Sequence, residues 1–143
     1  MKRSYGIAAA LLLLLSQVVQ ADLVIRDGHV RAPIPGTTST AAYMTLQNSG
    51  DEPLAVTRVT TSAAGSAKLH NSMNHNGMIH MVGVDSLNIP AGSIVELKEG
   101  GMHVMLEEPA ATIRPGTSVE LTLHLADGTA VTTSLPVRSV LDR

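Results

Sequence analysis

Residues 118–137 read SVELTLHLADGTAVTTSLPV, and this stretch decides the fold class. Over its first eight residues apolar and polar side chains alternate, and the apolar ones share one face of an extended strand: Val119, Leu121, Leu123 and Leu125. Since successive side chains of a strand point to opposite faces, the segment predicts a half-buried β-strand. Asp127-Gly128 is typical of a tight hairpin turn, so we expect the chain to return as a second strand over residues 130–137.

The rest of the sequence is built in the same way, with short Val-, Thr-, Leu- and Ile-rich runs between closely spaced Gly and Pro residues. These runs predict further strands at residues 23–32, 42–48, 54–61, 67–72, 79–84, 94–97 and 102–106. Short strands at such spacing favour an antiparallel sandwich or barrel. No segment after residue 21 has helical periodicity, so we predict an all-β fold.

Length and composition indicate one small domain. The chain has 143 residues, of which 44% are hydrophobic, enough for a single core. Its net charge of -2 gives no reason to expect a nucleic-acid partner. It contains no cysteine, which excludes disulfides, thiolate metal sites and thiol catalysis.

The N-terminus has the pattern of a secretory signal peptide. Lys2 and Arg3 precede a nine-residue apolar run over residues 7–15, too short to span a bilayer, and small residues end at Ala21. We therefore predict a signal peptide at residues 1–21, a mature domain at residues 22–143 without a membrane span, and a periplasmic location.

Methionine and histidine concentrate between positions 70 and 105. In the predicted strand at residues 102–106, Met102 shares a face with two core-like residues, whereas His103 and Met105 share the other face. A Met and a His side by side on one face can bind one metal ion. Imidazole suits several metals, but the soft, neutral thioether favours Cu(I).

Four of these residues have a specific spacing: His70, ten residues, Met81, twenty-one residues, then His103-Val104-Met105. This pattern, His-x10-Met-x21-His-x-Met, resembles that of the periplasmic PCu(A)C copper chaperone family. The surrounding sequence is also similar to that family, from Arg31-Ala32-Pro33 through Ala41-Ala42-Tyr43 to the run at residues 97–106.

The resemblance implies a cupredoxin-like Greek-key β-barrel or sandwich that binds one Cu(I) per chain through His70, Met81, His103 and Met105. It further implies a monomeric, non-catalytic metallochaperone that passes copper to an apoprotein. The expected recipient is the Cu(A) subunit of cytochrome oxidase or a thioredoxin-fold copper chaperone.

Several alternatives remain open at this point. The chain could be a copper buffer or resistance protein without a dedicated recipient, or a plain secreted β-sandwich with chance Met and His residues. A type-1 electron carrier would need a cysteine ligand, and no hydrolase motif is present. Met73, His75 and Met78 could form a weak second site or an entry path, and His80 is expected to point away from Met81.

Overall fold

The computed structural model describes residues 22–142, so the predicted signal peptide lies outside the described residues. Ten strands make up the fold: β1 (Leu23–Arg31), β2 (Ser39–Asn48), β3 (Leu54–Thr60), β4 (Ala64–His75), β5 (Met78–Gly83), β6 (Leu87–Ile89), β7 (Ile94–Leu97), β8 (Met102–Pro109), β9 (Ser118–Leu125) and β10 (Ala130–Arg138). Within this range there is no α-helix, and hence none that could cross a membrane.

The strands form two groups that enclose one core. The first group runs β5-β4-β8-β2-β1, with β7 also paired to β2, and the second runs β10-β9-β3-β6. A short parallel pairing joins them, in which Val30 of β1 lies beside Val137 of β10. Buried aliphatic side chains from both groups belong to a single cluster, which confirms the predicted single all-β domain.

All nine predicted strands are present, and β7 and β9 have the predicted bounds. The strand that was not predicted is β6, whose three residues are too few to show alternation. The alternation of residues 118–125 is correct, because the four apolar side chains of β9 are all buried: Val119, Leu121, Leu123 and Leu125.

The hairpin of β4 and β5 extends beyond the neighbouring strand. β8 begins at Met102, opposite Asn71, and the N–H of Ser72 donates to the carbonyl O of Gly101 at 3.1 Å. Beyond this point residues 73–80 pair only with each other, and β5 forms an edge of the sheet. The Asn76-Gly77 turn has φ values of 53° and 81°, as a two-residue hairpin of this kind requires.

A bulge in β1 brings its backbone close to the core. The pairing of β1 with β2 shifts between Arg26 and His29, and Asp27 has a φ of 50°. A Cβ at Gly28 would overlap Leu135 Cδ2 and lie 3.2 Å from Met44 Cβ. A larger residue at this position would therefore have to displace the buried Leu135 side chain.

We predict that Gly28→Ala destabilises the protein by about 1–3 kcal/mol, because overpacking a filled core displaces its side chains. The matched control is Gly83→Ala, since a Cβ at this strand residue meets no atom within 4 Å. Urea denaturation followed by circular dichroism measures both free energies of unfolding. Equal stability of the two variants would contradict the tight packing of the bulge.

Candidate metal centre

Three neighbouring strands, β5, β4 and β8, carry the four residues of the motif. The pairing of β4 with β8 places His70 directly opposite His103. The pairing of β4 with β5 places Ser72 opposite Met81. Met105 follows His103 by two residues along β8.

This register turns all four donor side chains to one face of the sheet. Residues directly opposite each other in a strand pair share a face, and so do residues two apart along one strand. His70 shares a face with His103 across the pair and with Ser72 along β4, and through Ser72 with Met81. Met105 shares that face with His103. The register therefore places residues up to 35 positions apart in sequence on one face of three neighbouring strands.

His103 is held in a defined orientation. Its side chain is only 3% exposed, and its Nδ1 lies 3.0 Å from the carbonyl O of Gly101. A carbonyl can only accept, so Nδ1–H donates, and the lone pair of the neutral ring is then on Nε2. Such a hydrogen bond to the second ring nitrogen is the usual support of a metal-binding histidine.

His70 has a buried nitrogen without a partner. Its Nδ1 is inaccessible to solvent and makes no hydrogen bond within the described structure. Its ring stacks on that of His103, with centroids 6.1 Å apart and planes inclined by 20°. An unpaired buried polar atom lowers the stability of a fold by about 1–3 kcal/mol. A group bound to this imidazole nitrogen would remove that cost.

A cleft of about 460 Å³ opens beside these residues. Met81, His103 and Met105 line it, together with β2 residues that include Tyr43. His70 does not line this cleft but a neighbouring groove that contains Lys68 and Gly83. The His103 residue thus borders the cleft, and the His70 residue borders the groove.

The charged groups near the cleft are paired with each other. Arg31 Nη1 lies 3.5 Å from Glu99 Oε1 at the rim, and Lys68 Nζ lies 3.7 Å from Glu107 Oε2 beyond Met105. Residues 22–142 contain no cluster of three or more His, Cys, Asp or Glu side chains. The available donors on the shared face are thus two imidazoles and two thioethers, all neutral.

Sequence reasoning assigned no site role to Tyr43, which the structure places beside His103. Their ring centroids are 6.4 Å apart, and Tyr43 in turn lies 5.3 Å from His29, its register partner on β1. With His70, these rings form a row across four adjacent strands. The available signal was that Tyr43 is the only aromatic residue after the predicted signal peptide.

His29, at the β1 end of this row, has a lowered pKa. Burial lowers the pKa of His29, the positive charge of Arg138 lowers it further, and Glu99 opposes the shift. Burial also raises the pKa of Tyr43, so its hydroxyl stays neutral. The folded protein therefore binds a proton at His29 less readily than the unfolded chain does.

We predict that stability falls as the pH drops from about 7.5 to about 5 through the titration of His29, because the unfolded state then binds the proton more readily. His29→Phe keeps a ring against Tyr43 and removes this proton. Urea denaturation across this pH range should show the stability of the wild type falling more steeply than that of the variant. Parallel curves would show that His29 does not contribute.

Comparisons with known proteins identify the family of this chain and several of its relatives. Residues 23–137 match the family described as "Putative lipoprotein LpqE-like". "Putative lipoprotein Lxx21020" of Leifsonia xyli subsp. xyli is 36% identical over 121 residues, which cover 83% of this chain and 72% of that protein. "Uncharacterized protein RP573" of Rickettsia prowazekii is 28% identical over 93 residues, and the chain spans about half of its length.

Several solved structures share the fold, and two of them are copper-bound. The "Copper-bound PCuAC domain from PmoF2" has a TM-score of 0.69 and 26% identity, over 82% of this chain and 93% of that domain. The Cu(I) form of DR1885 from Deinococcus radiodurans has a TM-score of 0.67 and 33% identity, over 82% of this chain and 78% of that one. These matches confirm the cupredoxin-like fold and the resemblance to PCu(A)C domains.

Proposed function

This chain belongs to the LpqE-like family, and we propose that it is an exported carrier of Cu(I) with His70, Met81, His103 and Met105 as its ligands. The observation that carries the proposal is the register of β5, β4 and β8, which turns these four donors to one face. The copper-bound solved structures with the same fold support it.

The donor chemistry selects the metal. Thioethers are soft and uncharged, so they favour Cu(I) over Zn(II), which prefers thiolate, imidazole and carboxylate ligands. Copper would also give the unpaired imidazole of His70 the partner it lacks. The hydrogen bond from His103 to Gly101 leaves Nε2 of that ring to face the ion.

The position of Met81 suits release as well as binding. This side chain is 55% exposed and lies on an edge strand, whereas His103 is buried. An incoming ligand of another protein can therefore displace the thioether of Met81 first, while the imidazoles still hold the ion. Such stepwise exchange needs no catalytic group, and it favours a carrier over an enzyme.

We further propose that the protein acts in the periplasm and delivers its copper there. The signal-peptide pattern of residues 1–21 and the lipoprotein name of a relative both support export to the periplasm. We propose that the recipient is the Cu(A) subunit of cytochrome oxidase or a thioredoxin-fold copper chaperone. Copper transfer from the loaded protein to each purified apoprotein, followed by the absorption of the Cu(A) centre, tests delivery. Retention of copper against both would indicate a buffer.

We predict that replacing Met81 and Met105 together by Leu lowers Cu(I) affinity by more than about 100-fold, since losing even a supporting partner of a ligand costs 10–100-fold. Leu keeps the volume but removes the sulphur. The matched control is Met102→Leu, on the same strand as Met105 but turned to the core. Anaerobic competition with a chromogenic Cu(I) chelator gives the affinities, with Zn(II) in parallel.

The control should bind copper as the wild type does. Undiminished affinity of the double variant, or tighter binding of Zn(II) than of Cu(I), would refute the assignment of the two thioethers.

A further inference from the structure

The hairpin of β4 and β5 carries a second set of histidines and methionines on its other face. Register pairs Met73 with His80, and His75 with Met78. Paired residues share a face, and so do residues two apart along a strand. By register these four side chains lie on the face opposite to Met81, and Met73 also borders the cleft that Met81 lines. The two sets share no donor.

The spacing of the second set fits one ion. Cβ atoms of residues directly opposite each other on two strands are about 5 Å apart. Residues two apart along a strand are separated by roughly 7 Å. Both imidazoles and both thioethers can therefore reach a common point above this face, with each strand contributing one Met and one His.

Packing does not account for these residues. Met73 and Met78 are 53% and 63% exposed, because the hairpin extends past the end of β8 and its inner face meets no core there. His75 and His80 are exposed too, and in the described structure their rings make no hydrogen bond or ion pair. Residues 73–83 contain no Asp, Glu, Lys or Arg. The hairpin therefore has no carboxylate that would bind the ion instead, and no ammonium or guanidinium group that would repel it.

We propose that Met73, His75, Met78 and His80 form a second Cu(I) site at the tip of the hairpin. Its ligands are neutral and soft, like those of the first centre, and so favour the same ion. The second site is expected to bind more weakly than the first. It lies on an exposed two-stranded hairpin, which is only marginally stable by itself, and no neighbouring strand fixes its side chains. The site would collect copper on the other face of the hairpin from Met81, which follows His80 along β5.

The test is a Cu(I) titration of the mature protein, made anaerobically and followed by NMR of the methionine methyl groups. The first equivalent of Cu(I) should shift the methyl resonances of Met81 and Met105. The second equivalent should shift those of Met73 and Met78. Met44 is 2% exposed, so its methyl resonance should keep its position and report that the fold is intact.

Two double variants distinguish the second site from the first centre. Replacement of Met73 and Met78 by Leu should abolish the second equivalent and keep the first. Replacement of Met81 and Met105 by Leu should abolish the tight equivalent and still allow the shifts of Met73 and Met78. The second site is refuted if the wild type shows no shift of Met73 and Met78, or if the first variant still binds two equivalents.

Discussion

The antiparallel pairing of β4 with β8 places His70 opposite His103, and the other features of the site depend on this register. A slip by one residue would turn every donor of one strand to the opposite face. The core prevents it, because Leu69 of β4 and Val104 of β8, neighbours of the two histidines, are both buried. Apolar packing on one face of the sheet thus fixes the positions of the polar donors on the other.

The same register separates the two faces of the β4–β5 hairpin. Where β8 pairs with β4, the inner face of the sheet packs on the core and the outer face carries the proposed centre. Beyond Ser72 the hairpin has solvent on both sides, so its inner face can carry Met and His instead of aliphatic residues. One short edge hairpin therefore presents Met81 to one side and Met73 to the other.

The sequence predicted the elements that rest on alternation and turn chemistry, such as β9 and its hairpin with β10. It underestimated β4, which runs to His75, because Met and His residues in solvent do not show the aliphatic alternation of a buried strand. It also predicted the shared face of His103 and Met105. It did not predict the burial of His103, whose ring lies between those of His70 and of Tyr43, a residue 60 positions earlier.

The most direct test of the central claim is a crystal structure of the mature protein loaded with less than one equivalent of Cu(I), with anomalous data at the copper edge. We predict a single anomalous peak within bonding distance of the Met81 and Met105 sulphurs and of one ring nitrogen each of His70 and His103. A peak elsewhere on the molecule, or one contacted by the imidazoles without either thioether, would contradict it.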